Sequence, residues 1–187
     1  MLYLRPLVLS DLETYVSWGR DQRFCEHAGW TVGRPEPELE AHWRRLITTA
    51  HPELIRLAAV LDDEVVGYVD LHGDDPDSRE LGYVVGPSSR WGHGLGAAVA
   101  RLGLERGFLE LGLQEIHAEA LDANAPSIRI LIKLGMTETG RGGDEPFLGT
   151  ASHYRQFSIT AEAFAGLCSS PAPGRAGSEG GQRQASR

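Results

Sequence analysis

The stretch VVGPSSRWGHGLGAAVARLGLERG, residues 84 to 107, constrains this chain more than any other. Two valines run into a Gly-Pro break, then Gly92, Gly94 and Gly96 stand at alternate positions directly before a helical pattern. Glycines so spaced let the backbone approach something bulky or take up positive φ. Where such a loop opens a helix, the free N–H groups of the first turn face into it and the helix dipole adds positive charge. The natural occupant is then an anion, most often phosphate. A tight strand-to-helix turn with no ligand has the same glycine spacing, so the spacing by itself leaves both readings open.

The remaining composition narrows the function classes. A length of 187 residues fits one domain with a well-buried core. A net charge of −8 argues against nonspecific nucleic-acid binding and is compatible with a cationic substrate. No run approaches the ~20 apolar residues of a membrane span, and the opening MLYLRPLVLSDLETY meets Arg5, Pro6 and Asp11 before any signal-type apolar stretch forms. The seven histidines never pair at i, i+4 and never flank a cysteine pair, so no metal site is expected. Cys25 and Cys168 lie far apart, as expected of a cytoplasmic chain without a disulfide framework. There is no G-x-S-x-G elbow and no Gly-Lys-Ser/Thr phosphate loop. A dinucleotide fingerprint fails too, because Gly96 is followed by Ala97-Ala98-Val99 and the loop comes late in the chain.

Periodicity predicts the order β-α-α-β-β-β-α-β-α-β-β. A first strand covers LYLRPL. Ser10 and Glu13 form a capping box for a helix, and FCEHAGWTVGRP reads as irregular. A helix near EPELEAHWRRLITTA places Leu39, Trp43, Leu46 and Ile47 on one side. A hairpin turns at Asp62-Asp63-Glu64, Asp74, Asp75 and Asp77 belong to a solvated turn, and SRELGYVVG is the strand leading into the glycines. The following helix has Leu95, Val99, Leu102 and Leu109 among its apolar positions. QEIHAEAL alternates as a half-buried strand. Asn124 caps a helix that ends at Gly135, and two strands close the sheet. The expected fold is α/β (α+β): one mixed, mostly antiparallel twisted sheet of about seven strands flanked by about four helices. The domain is expected to span 1–163, with a disordered tail over 164–187.

Two motifs in this order carry a resemblance covering residues 2 to 160. Trp91-Gly92-His93-Gly94-Leu95-Gly96 resembles the Gln/Arg-x-x-Gly-x-Gly/Ala loop of the GCN5-related N-acetyltransferases. NAPSIRILIKLGM, residues 124 to 136, resembles their Asn-x-x-Ser helix. Trp91 in the first loop position is usual in the ribosomal-protein alanine acetyltransferase-like branch. The resemblance implies a sheet splayed at the fourth strand and acetyl-coenzyme A as cosubstrate. It implies that amides from Gly92 to Ala97 surround the pyrophosphate, with Trp91 and His93 at the loop surface in packing and solvent roles. Val84, Val85 and Gly86 would pair with the pantetheine amides, and Asn124 and Ser127 would lie near the thioester sulfur.

Transfer to an amine needs a neutral nucleophile, a stabilised oxyanion and a leaving thiolate. Glu80, fourteen positions before Gly94, holds the offset of the catalytic glutamate in the histone-modifying relatives and is the expected base. The tyrosine that serves many relatives as acid, seven residues after the asparagine, is Leu131 here, which leaves Ser127 as candidate. Glu26, His27, Trp30, Asp70 and Tyr154 are candidate acceptor-site residues, with His27 or His153 as alternative bases. The expected function is direct, ternary-complex N-acetylation of a protein N-terminal amine or a small-molecule amine. The alternative is a noncatalytic acyl-coenzyme A sensor. Neither a nucleic acid nor a membrane is an expected partner, and a homodimer is possible.

Overall fold

Strand segments rich in Val, Ile, Leu and Tyr alternate across this chain with segments of helical periodicity, and in the computed structural model they form one sheet with helices on both faces. The structure describes residues 1–169. The strands are β1 (Leu2–Pro6), β2 (Leu54–Leu61), β3 (Glu64–His72), β4 (Ser78–Val85), β5 (Glu115–Leu121), β6 (Thr137–Asp144) and β7 (His153–Thr160). The helices are α1 (Leu12–Trp18), α2 (Gln22–Ala28), α3 (Glu36–Thr48), α4 (Leu95–Glu105), α5 (Ala125–Lys133) and α6 (Ala161–Ser169). Strand order is β1-β2-β3-β4-β5-β7-β6. The β4–β5 pair is parallel and the other pairs are antiparallel.

Side-chain alternation along β3 and β4 sends neighbouring residues to opposite layers. Val69, Leu71, Leu81 and Val85 join Val99, Leu104, Ile128 and Leu131 beneath α4 and α5. Tyr68 faces the other way and joins Tyr15, Trp18 and Trp43 of α1 and α3. There Tyr15 stacks on Trp43 with ring centroids 4.1 Å apart. At ~25 cal/mol per Å² of apolar area, these aromatics dominate the burial that holds α1–α3 in place.

Four expectations change. The segment 22–35 is not wholly irregular: Asp21 accepts a hydrogen bond from the Phe24 amide and caps α2, whose end is marked by Gly29. The Ser10–Glu13 capping box does not form. Asp11, bound to both guanidinium nitrogens of Arg5 at 2.7 Å and to the Val8 amide, organises that turn instead. Leu109 is 74% exposed, because α4 continues as a π-turn over Arg106–Glu110. The wider turn rotates Phe108 inward in its place. Finally, the expected boundary at 163 falls inside α6, whose Phe164 packs against Phe108 in the core; with α2, it brings the helices among the described residues to six where about four were expected. The tail beyond residue 169 lies outside the described residues.

Candidate active site

The site begins where β4 and β5 part. Their pairing is limited to Ser78–Glu80 against Glu115–His117. Beyond Glu80, β4 stays bonded to β3 while β5 follows β7. Residues 81–85 of β4 and 118–121 of β5 therefore border a wedge whose inner backbone edges face one another without strand pairing. Gly67 permits this path, since a Cβ there would lie 2.3 Å from the Val84 carbonyl oxygen on β4. Gly86 likewise lies against the Trp18 ring, where a Cβ would sit 2.6 Å away.

At the mouth of the wedge, β4 turns into α4 through the glycine loop. Gly92 (φ +86) and Gly94 (φ +78) adopt the left-handed region, and a Cβ on either would meet open space. Gly96 does a different job: its Cβ would touch Ile130 at 3.0 Å, so its smallness lets α4 approach α5. The amides of Leu95, Gly96 and Ala97 belong to the first turn of α4 and have no carbonyl within the helix. His93 is exposed. Trp91 is partly buried. Its indole N–H donates to the Val85 carbonyl at 2.7 Å, which ties the loop back to the end of β4. An anion fits this place on three counts: open space, first-turn amides and the positive end of α4.

The two walls of the wedge bring up different chemistry. On the α5 side, Asn124 caps the helix by accepting from the Ser127 amide at 3.4 Å. Leu131 lies 1% exposed in the core and presents nothing polar. On β4, burial pushes the pKa of Tyr83 up to about 12. The Tyr83 hydroxyl is buried without a partner. Sequence reasoning passed over Tyr83. Its only signal is an aromatic hydroxyl in the strand that opens the wedge.

On the opposite face, Glu80 is exposed and sits in register with His117. With Glu119, Thr139 and Gln156 they line a cavity of about 220 Å³. Glu119 accepts from the Gln156 amide at 2.6 Å. Next to it the Tyr154 hydroxyl donates to Glu145 at 2.8 Å. Burial, then Glu145, Glu119 and Glu80, push the pKa of Tyr154 to about 12. Glu119 and Glu145 were also missed; Glu119 was legible as the polar partner of Ala118 and Ala120 in the alternation of β5.

The remaining candidates scatter. His27 stacks edge-on against Trp91 at 5.0 Å and Phe147 at 5.5 Å, joining α2, the glycine loop and the β6–β7 connection. Glu26, exposed on α2, is held by Gln22, and His153 begins β7. Trp30 lines a second cavity of about 200 Å³ with Arg34, His42, Trp43, Arg56 and Tyr68. Asp70 is not a free acceptor-site carboxylate. Both its oxygens bind Arg56, its register partner on β2, whose guanidinium lies over Tyr68 and Trp43. Among the described residues no group of three or more His, Cys, Asp or Glu is placed to hold a metal. No described helix is long and apolar enough to cross a membrane.

A sheet opened between its parallel strands, with a glycine-lined helix mouth at the opening, defines the fold class of acyl-coenzyme A-dependent transferases. The sequence model of the acetyltransferase (GNAT) domain matches residues 1–137, and the chain belongs to that family. An uncharacterized N-acetyltransferase, p20, of Bacillus licheniformis is 30% identical over 107 residues, 56% of this chain and 60% of that protein. The chain thus spans about three fifths of that curated relative's length. Among solved structures, spermidine N-acetyltransferase from Vibrio cholerae, in complex with coenzyme A and spermine, superposes with a TM-score of 0.74 at 18% identity. That match covers 88% of this chain and 98% of the other. The aminoglycoside acetyltransferase AAC(6')-Ib, in complex with coenzyme A, superposes with a TM-score of 0.72 at 21% identity, covering 90% and 100%. Both likenesses are of fold.

Proposed function

We propose that this protein is an acetyl-coenzyme A-dependent N-acetyltransferase that acylates a primary amine directly, within a ternary complex. The observation that carries the reading is the parting of β4 from β5 after Glu80, beside the open, left-handed Gly92 and Gly94. Acetyl-coenzyme A supplies an activated thioester carbonyl. The first-turn amides of α4 hold its pyrophosphate, and the side of β4 turned away from β3, at Val84, Val85 and Gly86, lies along its pantetheine arm in the manner of a neighbouring strand. Asn124 and Ser127 border the same wedge from α5.

The amine enters from the other face, past the cavity of Glu80, His117 and Glu119. An amine of pKa near 10.4 is mostly protonated at neutral pH. It is drawn by the carboxylates as a cation and gives up its proton to Glu80, directly or through water. The acidic lining and the net charge of −8 favour a small amine carrying more than one positive charge. The solved relatives named for spermidine and aminoglycosides support the same choice. Trp91 and Ser127 favour a second reading, a protein N-terminal amine, through their likeness to the ribosomal-protein branch.

The deciding measurement is free-thiol release from acetyl-coenzyme A over a panel of polyamines, aminoglycosides and alanine-terminated peptides. Saturable release with a polycationic amine supports the reading. Coenzyme binding with no turnover of any amine would leave the sensor in its place.

A further inference from the structure

The two cavities differ in charge. Glu80 and Glu119 line the first, whereas no acidic side chain lines the second, of about 200 Å³, and the two share no residue. In a chain of net charge −8, a lining without carboxylates does not follow from composition. The second cavity lies between the α2–α3 connection, α3 and the face of β2 and β3 that carries Arg56 and Tyr68. Its walls are aromatic: the Trp43 ring stands 5.5 Å from Trp30 and 5.5 Å from Tyr68. Arg34 and Arg56 bring guanidinium groups to it, and His42 an imidazole. Asp70 occupies Nε and Nη2 of Arg56, while Nη1 donates to no group among the described residues. Arg34 is 35% exposed, and its contact with Glu38 is 3.9 Å long, beyond hydrogen-bond reach. Burial, then Arg34, Arg45 and Arg56, hold the His42 pKa below its ordinary value, as a positive local potential does.

We propose that this cavity is a binding site for a small aromatic carboxylate, its ring among Trp30, Trp43 and Tyr68 and its carboxylate on Arg34 and Arg56. Burial of the ring supplies affinity, and the guanidinium donors fix the orientation and select the sign of charge. A bare inorganic anion would leave the aromatic walls uncovered, and an ammonium would face two guanidinium groups. At ~30 Å³ per water, the space equals roughly seven waters, which limits the ligand to about one ring. The site is separate from the cavity assigned to the amine, and it depends on neither the coenzyme nor the acceptor.

Calorimetry on the full-length protein tests this with benzoate, its neutral isostere benzamide, benzylamine and inorganic phosphate. Benzoate should bind about tenfold more tightly than each of the others, the ratio expected of one charge-assisted hydrogen bond. Arg34→Gln should remove the preference over benzamide while its circular dichroism stays that of wild type. Arg34→Lys, which keeps the charge without the planar fork, should retain part of it and decides the matter if Arg34→Gln does not fold. Equal affinity for benzoate and benzamide would overturn the proposal. So would tighter binding of benzylamine or phosphate, no binding of benzoate at millimolar concentration, or a wild-type preference that survives in both variants.

Discussion

The Asp21 carboxylate accepts hydrogen bonds from two backbone amides 64 residues apart, Phe24 at 3.0 Å and Ser88 at 2.7 Å. One bond caps α2. The other holds the chain between β4 and the glycine loop, so a single side chain links α2 to the helix mouth proposed for phosphate.

Asp21→Ala should lose about 1–2 kcal/mol of stability in urea unfolding, the range for a lost N-cap, and should weaken coenzyme binding. Burial raises the pKa of Asp21, but the Phe24 and Ser88 amides outweigh it and the net shift is downward. A lowered folded pKa gives stability that is complete above the unfolded value of ~3.9 and is lost as pH falls through the folded value. The variant should therefore converge on wild type at acid pH, once Asp21 is protonated in the folded protein. A constant gap down to that pH would show that the charge contributes nothing.

Gly94→Glu should cut coenzyme A affinity by ~100-fold or more while circular dichroism remains native. The position has φ +78 and open space. The substitution therefore adds ~1–2 kcal/mol of backbone strain and puts a negative charge where an anion is to bind. Calorimetry decides it, and near-normal affinity would remove the loop from the site.

Asp70→Asn should destabilise by about 3 kcal/mol and leave the KM for the amine unchanged in whatever protein folds. The change strips Arg56, whose side chain is 20% exposed, of its bidentate partner. A raised KM with intact stability would restore Asp70 to the acceptor site.

Glu80→Gln and Glu119→Gln should separate two roles. The first should lower kcat at least tenfold, with coenzyme affinity unchanged. The second should raise the amine KM several-fold with kcat nearly intact. Steady-state kinetics against a polyamine gives both numbers, and equal effects of the two variants on KM would make Glu80 a binding residue only.

Gly67→Ala should cost about 1–3 kcal/mol, read as a lowered urea midpoint. The added methyl would strike the Val84 carbonyl, a backbone atom that cannot swing aside.

Most of the frame was legible along the chain because it depends on neighbours in sequence. The hairpin at Asp62-Asp63 turns through two residues of positive φ. The burial of Ile116, Ala118 and Ala120 follows the period of two, and Asn124 with Gly135 bounds α5 by local capping. Asp21 and Gly29 were legible as caps too, but the Gly- and aromatic-rich run between Phe24 and Pro35 obscured the short helix they bound. Leu109 was misplaced because a π-turn shifts the helical period by one residue, which no local propensity announces.

The amino-acid order by itself determined the strand sequence, the helices α1, α3, α4 and α5 and the glycine-lined helix start. Each is a property of residues within a few positions of one another. Only the tertiary structure decided that Asp70 is claimed by Arg56, that Glu119 lines one cavity with Glu80, and that Tyr154 is bonded to Glu145. Those relationships depend on strand register and on where β4 leaves β5. Register is set by the packing of both sheet faces together, so no short segment contains it.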